Sequence, residues 1–209
     1  MRSVLLLLIG AATAFPQSIG FGLKGGIPFT DFTKAVSSGT FHFDDNTRRY
    51  IVGPTFELRL PFSLAIEVDA LYRRFNYNQF IGGTAGAASV STSGNAWEFP
   101  LLAKYRFHAP IARPYIAGGV AWDTLSGLTQ SVHNALASTG VISSSHPNEL
   151  NEKTTMGFVL GGGLDVKVLF IHVSPEIRYT RWGAKHFLDP NGGLSSNQNQ
   201  AEFLVGITF

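Results

Sequence analysis

The chain has 209 residues, enough for one large or two small domains. Charged residues are only 14%, against ~25% in an ordinary soluble domain. A formal net charge of +2 on scattered Lys and Arg excludes the basic stripe of a nucleic-acid binder, and the absence of cysteine excludes a disulfide framework or thiolate metal site.

Residues 1–14 have the form of a secretory signal. Arg2 supplies the positive end, Val4 to Ile9 the apolar run, and Ala12-Thr13-Ala14 a small-x-small cleavage site. Cleavage near Ala14 leaves 15–209 as one domain. The run is far shorter than the ~20 residues of a membrane helix. No later stretch approaches one, so only a closed β-barrel could place this chain in a membrane.

From Ile19 onward the hydrophobic period is two, the period of a strand. Ile19, Phe21 and Leu23 alternate with Gly20, Gly22 and Lys24 until Pro28, and a polar loop is expected over 28–47. The second strand sets Tyr50, Val52, Pro54, Phe56, Leu58 and Leu60 against Ile51, Gly53, Thr55, Glu57 and Arg59. After the turn at Pro61-Phe62, Leu64, Ile66, Val68, Ala70 and Tyr72 alternate with Ala65, Glu67, Asp69, Leu71 and Arg73. A Gly/Ala/Ser/Thr loop is expected over about 76–94. The fourth strand sets Trp97, Phe99, Leu101, Ala103, Tyr105 and Phe107 against Glu98, Pro100, Leu102, Lys104 and Arg106.

A short turn at His108 to Ile111 leads to a glycine-rich fifth strand, about 113–124, whose facing stays open. Either Tyr115, Ala117, Gly119 and Ala121 or Ile116, Gly118, Val120 and Trp122 could be its outer face. A third long loop is expected over about 125–153. Strand six opposes Met156, Phe158, Leu160, Gly162, Leu164 and Val166 to Gly157, Val159, Gly161, Gly163 and Asp165. Beyond a short turn near Lys167 to Leu169, strand seven opposes Ile171, Val173, Pro175, Ile177 and Tyr179 to His172, Ser174, Glu176, Arg178 and Thr180. A last loop, about 183–199, precedes the closing strand. There Ala201, Phe203, Val205, Ile207 and Phe209 are apolar and the residues between them mostly polar or small.

The pattern predicts about eight strands of roughly ten residues, joined by loops that alternate long and short, as in membrane barrels. A soluble sandwich has no reason to gather its long loops at one end. The bulk of each face then separates a soluble barrel from a membrane barrel. The apolar face carries Phe21, Phe56, Tyr72, Trp97, Phe99, Tyr105, Phe158, Tyr179, Phe203 and Phe209. So many rings would overfill an eight-stranded interior, whereas lipid accepts them. Tyr50, Tyr72, Trp97 and Tyr179 fall near one rim, and Phe62, Phe107 and Phe209 near the other, as interfacial girdles require. The polar face holds Lys24, Glu57, Arg59, Glu67, Asp69, Arg73, Glu98, Lys104, Arg106, Asp165, Glu176, Arg178 and Glu202. Buried charge is costly unless paired, so this near balance of acids and bases suits a closed, filled interior. The expected fold is an all-β, eight-stranded antiparallel up-and-down transmembrane barrel.

With these features the chain resembles the outer-membrane protein β-barrel domain families, eight-stranded barrels similar to outer-membrane protein A, over residues 19–209. The resemblance rests on the pattern, the leader and the terminal Phe209, and on no catalytic motif. It implies an outer-membrane location, lipid and lipopolysaccharide as surroundings, and no cofactor. It also implies that the barrel-assembly machinery reads Phe203, Val205, Ile207 and Phe209. With nothing following Phe209, the peptidoglycan-anchoring role of that relative is not expected. The leading function is a monomeric, non-catalytic barrel with a structural or surface-binding role. A small porin-like channel and a lipid-modifying enzyme are the alternatives.

The enzyme alternative rests on His172-Val173-Ser174, which has the His-x-Ser spacing of the lipid A deacylases. Pro175 stands where that family carries Asn, and the nearest downstream acids are Glu176 and Asp189. With Val173 toward lipid, His172 and Ser174 would face the barrel interior, out of reach of a lipid chain. Gly20-Phe21-Gly22 and Gly161-Gly162-Gly163 lie inside strands and are not nucleotide loops. His42, His108, His133, His146 and His186 have no metal-ligand spacing, so no metal is expected. Finally, Arg48, Arg49, Arg73, Arg74, Lys153, Arg181 and Lys185 would lie near the external rim, where lipopolysaccharide presents phosphates.

Overall fold

The computed structural model describes residues 18–31, 33–35, 41–45, 50–83, 86–134, 137–142, 150–187 and 194–209. The leader over 1–14, Arg48 and Arg49 lie outside the described residues. In chain order the elements are β1 (Ser18–Pro28), β2 (Thr33–Ala35), β3 (Phe41–Asp45), β4 (Ile51–Arg59), β5 (Leu64–Asp69), β6 (Leu71–Gly83) and β7 (Gly86–Arg106). There follow β8 (Ala112–Asn134), β9 (Ala137–Ile142), β10 (Thr154–Val168), β11 (Ile171–Trp182), β12 (Leu194–Ser196) and β13 (Asn199–Thr208).

Each strand of the main sheet pairs antiparallel with its neighbours, from β1 through β4, β5 with β6, β7, β8, β10 and β11 to β13. The ring closes because β13 also pairs with β1, from Gly22 opposite Thr208 to Pro28 opposite Glu202. β5 and β6 form one stave, interrupted at Ala70, so the barrel is the expected eight-stranded antiparallel one. The interruption has a local cause. Pro54 faces Ala70 and has no N–H to give it, so only Ala70 N donates, to Pro54 O at 3.0 Å. Gly53 lets the two backbones crowd together here, since a Cβ on it would lie 1.8 Å from Ala70 O.

Side chains alternate as the period of two dictates. Phe21 is 65% exposed and Phe158 71%, whereas Lys24, Glu98 and Arg178 are each at most 2% exposed. The facing of the fifth stave, open on sequence alone, is settled. Ile116 and Trp122 point outward, and Tyr115, Ala117 and Ala121 are buried inside. That places Asp123 in the interior as an acid additional to the expected set. Aromatic pairs mark both rims. The Tyr72 ring lies tilted against Trp97 at 5.2 Å at the long-loop end, and Tyr105 meets Phe107 edge-on at 5.1 Å at the short-turn end.

The long excursions differ from expectation. The segment expected as loop over 76–94 is largely strand: β6 and β7 continue as a hairpin to Gly83 opposite Gly86. β8 likewise runs on to Asn134 and receives β9. Their Ser, Thr and Gly residues hide a strand from hydropathy, because they carry no apolar alternation. At this end the chain also folds back on the mouth. Phe187 is fully buried against Phe75, Ala96, Leu125 and Leu128, with its ring 5.7 Å from that of Phe75 and Leu150 packed alongside. This apolar plug sits directly above the charged interior.

Candidate functional site

The interior charges lie in three layers. In the central layer Lys24 Nζ, from the first stave, is 2.5 Å from Glu67 Oε1, 3.2 Å from Asp69 Oδ2 and 3.5 Å from Glu176 Oε2. Arg178, on β11 two staves from Lys24, holds the same acids. Its Nε donates to Glu176 Oε1 at 2.8 Å, and its Nη2 to Asp69 Oδ2 at 3.0 Å and to Glu67 Oε1 at 3.3 Å. Lys104 donates to Glu67, and its ammonium sits 4.5 Å over the Tyr115 ring. Tyr115 OH donates to Glu176 Oε2 at 2.9 Å, and Thr55 Oγ1 to Asp69 Oδ1 at 2.6 Å. Most acceptors of these carboxylates are thus used by donors fixed on other staves. That is the condition under which buried charge is tolerated.

Toward the short-turn end, Glu57 accepts from Arg106 and, at 2.8 Å, from Arg59 Nε. Arg106 Nε is 2.9 Å from Asp165 Oδ2, and His172 Nδ1 is 2.7 Å from Asp165 Oδ1. Toward the long-loop end, Arg73 Nη2 bonds Asp123 Oδ2 at 2.5 Å and its Nη1 bonds Gln200 Oε1 at 2.6 Å. Trp182 Nε1 also donates to Gln200 Oε1, at 3.1 Å. The other end of that amide donates to Glu98 Oε2 at 3.2 Å and Glu202 Oε2 at 3.0 Å. His186 Nε2 lies 3.3 Å from Asp123 Oδ2, and its Nδ1 is 2.7 Å from Glu152 O. His186 thereby links the plug to the upper layer.

Every charged residue expected inside lies on the interior face. Glu98 and Glu202 differ from the others in taking their hydrogen bonds from Gln200 rather than from a cation. Three corrections follow. Arg73 is buried and bound to Asp123 and Gln200, so it cannot be a lipid contact. The acids of the interior outnumber the bases by one more than expected, because Asp123 joins them. The partner of His172 is Asp165, reached across the hairpin of β10 and β11, and not an acid downstream. Asp123 was detectable from the sequence, since Arg113, Tyr115 and Asp123 share one parity and fix the polar face of their stave. Gln200 and Trp182 share the parity of Glu202 and Arg178 on their own staves, and His186 carries no such mark.

His172 and Ser174 both face the interior, and no hydrogen bond joins them, so the serine has no base in contact. Among the described residues no three His, Asp or Glu side chains converge as a metal-ligand set. What the arrangement does chemically is hold charge still. Changing Arg178 to Met should therefore cost about 3–5 kcal/mol in urea unfolding of the micelle-bound barrel, because three buried acids lose a donor. Arg59→Gln, at a side chain 22% exposed, should cost at most about 1 kcal/mol.

Comparison with known proteins supports this architecture. No curated protein matches the chain. Among solved structures, Neisserial surface protein A aligns with a TM-score of 0.50 at 13% identity, over 93% of this chain and 98% of that one. The translocator domain of the autotransporter NalP from Neisseria meningitidis aligns with a TM-score of 0.46 at 10% identity, over 100% and 94% of the two chains. Ail, the attachment invasion locus protein of Yersinia pestis, solved with the heparin analogue sucrose octasulfate, gives 0.42 at 8%, over 92% and 97%. At 13% identity the likeness to Neisserial surface protein A is one of fold. The model of the outer membrane protein beta-barrel domain matches residues 14–183, most of the strand-forming chain, and this chain belongs to that family.

Proposed function

We propose that this protein is a closed, non-catalytic outer-membrane barrel, exported by a leader cleaved near Ala14, that acts as a monomer in a structural or surface-binding role through its external loops. Family membership supplies the outer-membrane location. The observation that carries the rest is the filled interior. Arg178, Lys24, Glu176, Glu98 and Glu202 cross the barrel at under 2% exposure, and Phe187 and Phe75 cover them on the external side. An ion would have to break several charge-assisted bonds to pass. Purified protein in planar bilayers should therefore give no stable, sizeable single-channel steps. Such steps, persisting after gel filtration, would favour the porin-like alternative.

The external rim supports contact with lipopolysaccharide. Arg74 and Arg181 are exposed on the outer face just beyond Tyr72 and Tyr179, and Lys153 and Lys185 lie at the same end. Arginine pairs with phosphate through two parallel bonds, which would fix the depth of the barrel. Changing Arg74, Lys153, Arg181 and Lys185 together to Gln should lower the midpoint of thermal unfolding by about 4 °C or more in lipopolysaccharide-containing bilayers. Little change is expected in zwitterionic phospholipid, and equal loss in both would assign these residues to bonds within the protein.

The closing strand supports recognition by the barrel-assembly machinery through Phe203, Val205, Ile207 and Phe209, all on the lipid face. Phe209 also completes the seam, with its N donating to Phe21 O at 3.0 Å and its ring 6.1 Å from that of Phe21. Deleting Phe209 or changing it to Ser should reduce the barrel in the outer membrane severalfold, and Phe209→Tyr should not. Equal yields from all three would remove this terminus as a signal.

A further inference from the structure

The two ends of the barrel differ in how their charges are matched. At the short-turn end, which faces the periplasm in this family's topology, β8 begins near Arg113, β10 ends near Lys167 and β11 begins near His172. With Asp165, Ile111 and Leu169 these residues line a cavity of about 400 Å3. Arg113 and Asp165 face each other across the ladder of β8 and β10, a spacing suited to an ion pair. They do not form one. Asp165 gives Oδ1 to His172 and Oδ2 to Arg106. Arg113 and Lys167 therefore line one cavity, and among the described residues no carboxylate is bound to either. A second cavity of about 270 Å3 shares Arg113 and adds Arg59, Arg106 and His108, with no acid in its lining. Arg59 Nη2 is buried without a hydrogen-bond partner.

We propose that this periplasmic mouth binds a phosphate-type oxyanion through Arg113 and Lys167, with Arg59 at its edge. Two unmatched cations held by rigid staves, beside apolar walls that lower the local dielectric, raise the local potential for an anion. The number of donors selects the ligand. The Arg113 fork takes two oxygens of a phosphate, and the Lys167 ammonium takes a third as a point charge. A carboxylate carries a single negative charge and would leave the two cations half compensated, whereas a phosphate group carries about −1.5 to −2 at pH 7. The same chemistry can come from an inner-leaflet lipid headgroup or from free phosphate. Ile111 and Leu169 at the cavity lip are 79% and 83% exposed, so the site opens to both.

Calorimetric titration of the barrel in zwitterionic detergent and Tris chloride, with inorganic phosphate as probe, tests this. Saturable binding is expected, weakened about tenfold or more by Arg113→Gln with Lys167→Gln, as loss of charge-assisted bonds predicts. Retention of the fold in that variant is checked by gel migration before and after boiling, and Lys167→Gln alone replaces it if it does not fold. Absence of saturable binding to the wild type overturns the proposal. So does an unchanged isotherm in the variant, or equal displacement by acetate at matched ionic strength. Repeating the titration in nanodiscs separates the sources. Loss of phosphate binding with phosphatidylglycerol but not with phosphatidylcholine assigns the site to a lipid headgroup, and equal binding in both assigns it to the free ion.

Discussion

Closure of the sheet between β1 and β13 is the constraint on which the rest of this structure depends. Hydrocarbon offers no water to an unpaired N–H or C=O, so a spanning sheet with a free edge is excluded. Once the ring is closed the alternation of side chains allows no compromise, because a slip of one residue would turn every charge outward. Where Pro54 cannot donate to Ala70 the wall lacks one bond, and the register continues unchanged on either side.

Closure at eight staves sets the second problem, which is what to put inside. With lipid receiving the rings, the inner face is left with long polar side chains in a narrow space. Inward-facing glycines on several staves leave room for them: a Cβ on Gly161 would meet the carboxylate of Glu176 at 3.0 Å, and one on Gly20 would meet the guanidinium of Arg59 at 3.3 Å. The charges are then shared. Glu67 is held by Lys24, Lys104 and Arg178 from three different staves, so no single pair defines the layer. Toward the external mouth the filling changes from charged to apolar, where Phe187 and Leu150 return to cover the upper layer.

Much of this was legible in the residues, because two environments as different as lipid and a packed interior impose a strong period of two. Strands with large outer rings, such as that from Trp97 to Phe107, could be read residue by residue. The fifth stave is marked only toward its ends, by Arg113 and Asp123, since Gly118, Gly119, Ala117 and Ala121 between them contrast too little to mark a face. The partners of the charges were also beyond reach. Whether Asp165 meets Arg113, Arg106 or His172 depends on the stagger between staves, which periodicity does not carry. Nor does hydropathy show that 86–94 continues a strand, or that Phe187 returns to the mouth, because each depends on tertiary contacts alone.

The distribution of the central ion pairs along the chain has a consequence for how the protein enters its membrane. Lys24 meets an acid 43 residues away and another 152 residues away. Arg178 reaches back 111 residues to Glu67. A partly inserted chain would therefore expose to lipid charges whose partners had not yet arrived, and the penalty would be greatest for the earliest staves. Stepwise threading of single strands is disfavoured by the sequence order of its own electrostatics. Insertion and folding become one cooperative event, and the last stave, β13, decides its outcome by closing the ring on the first.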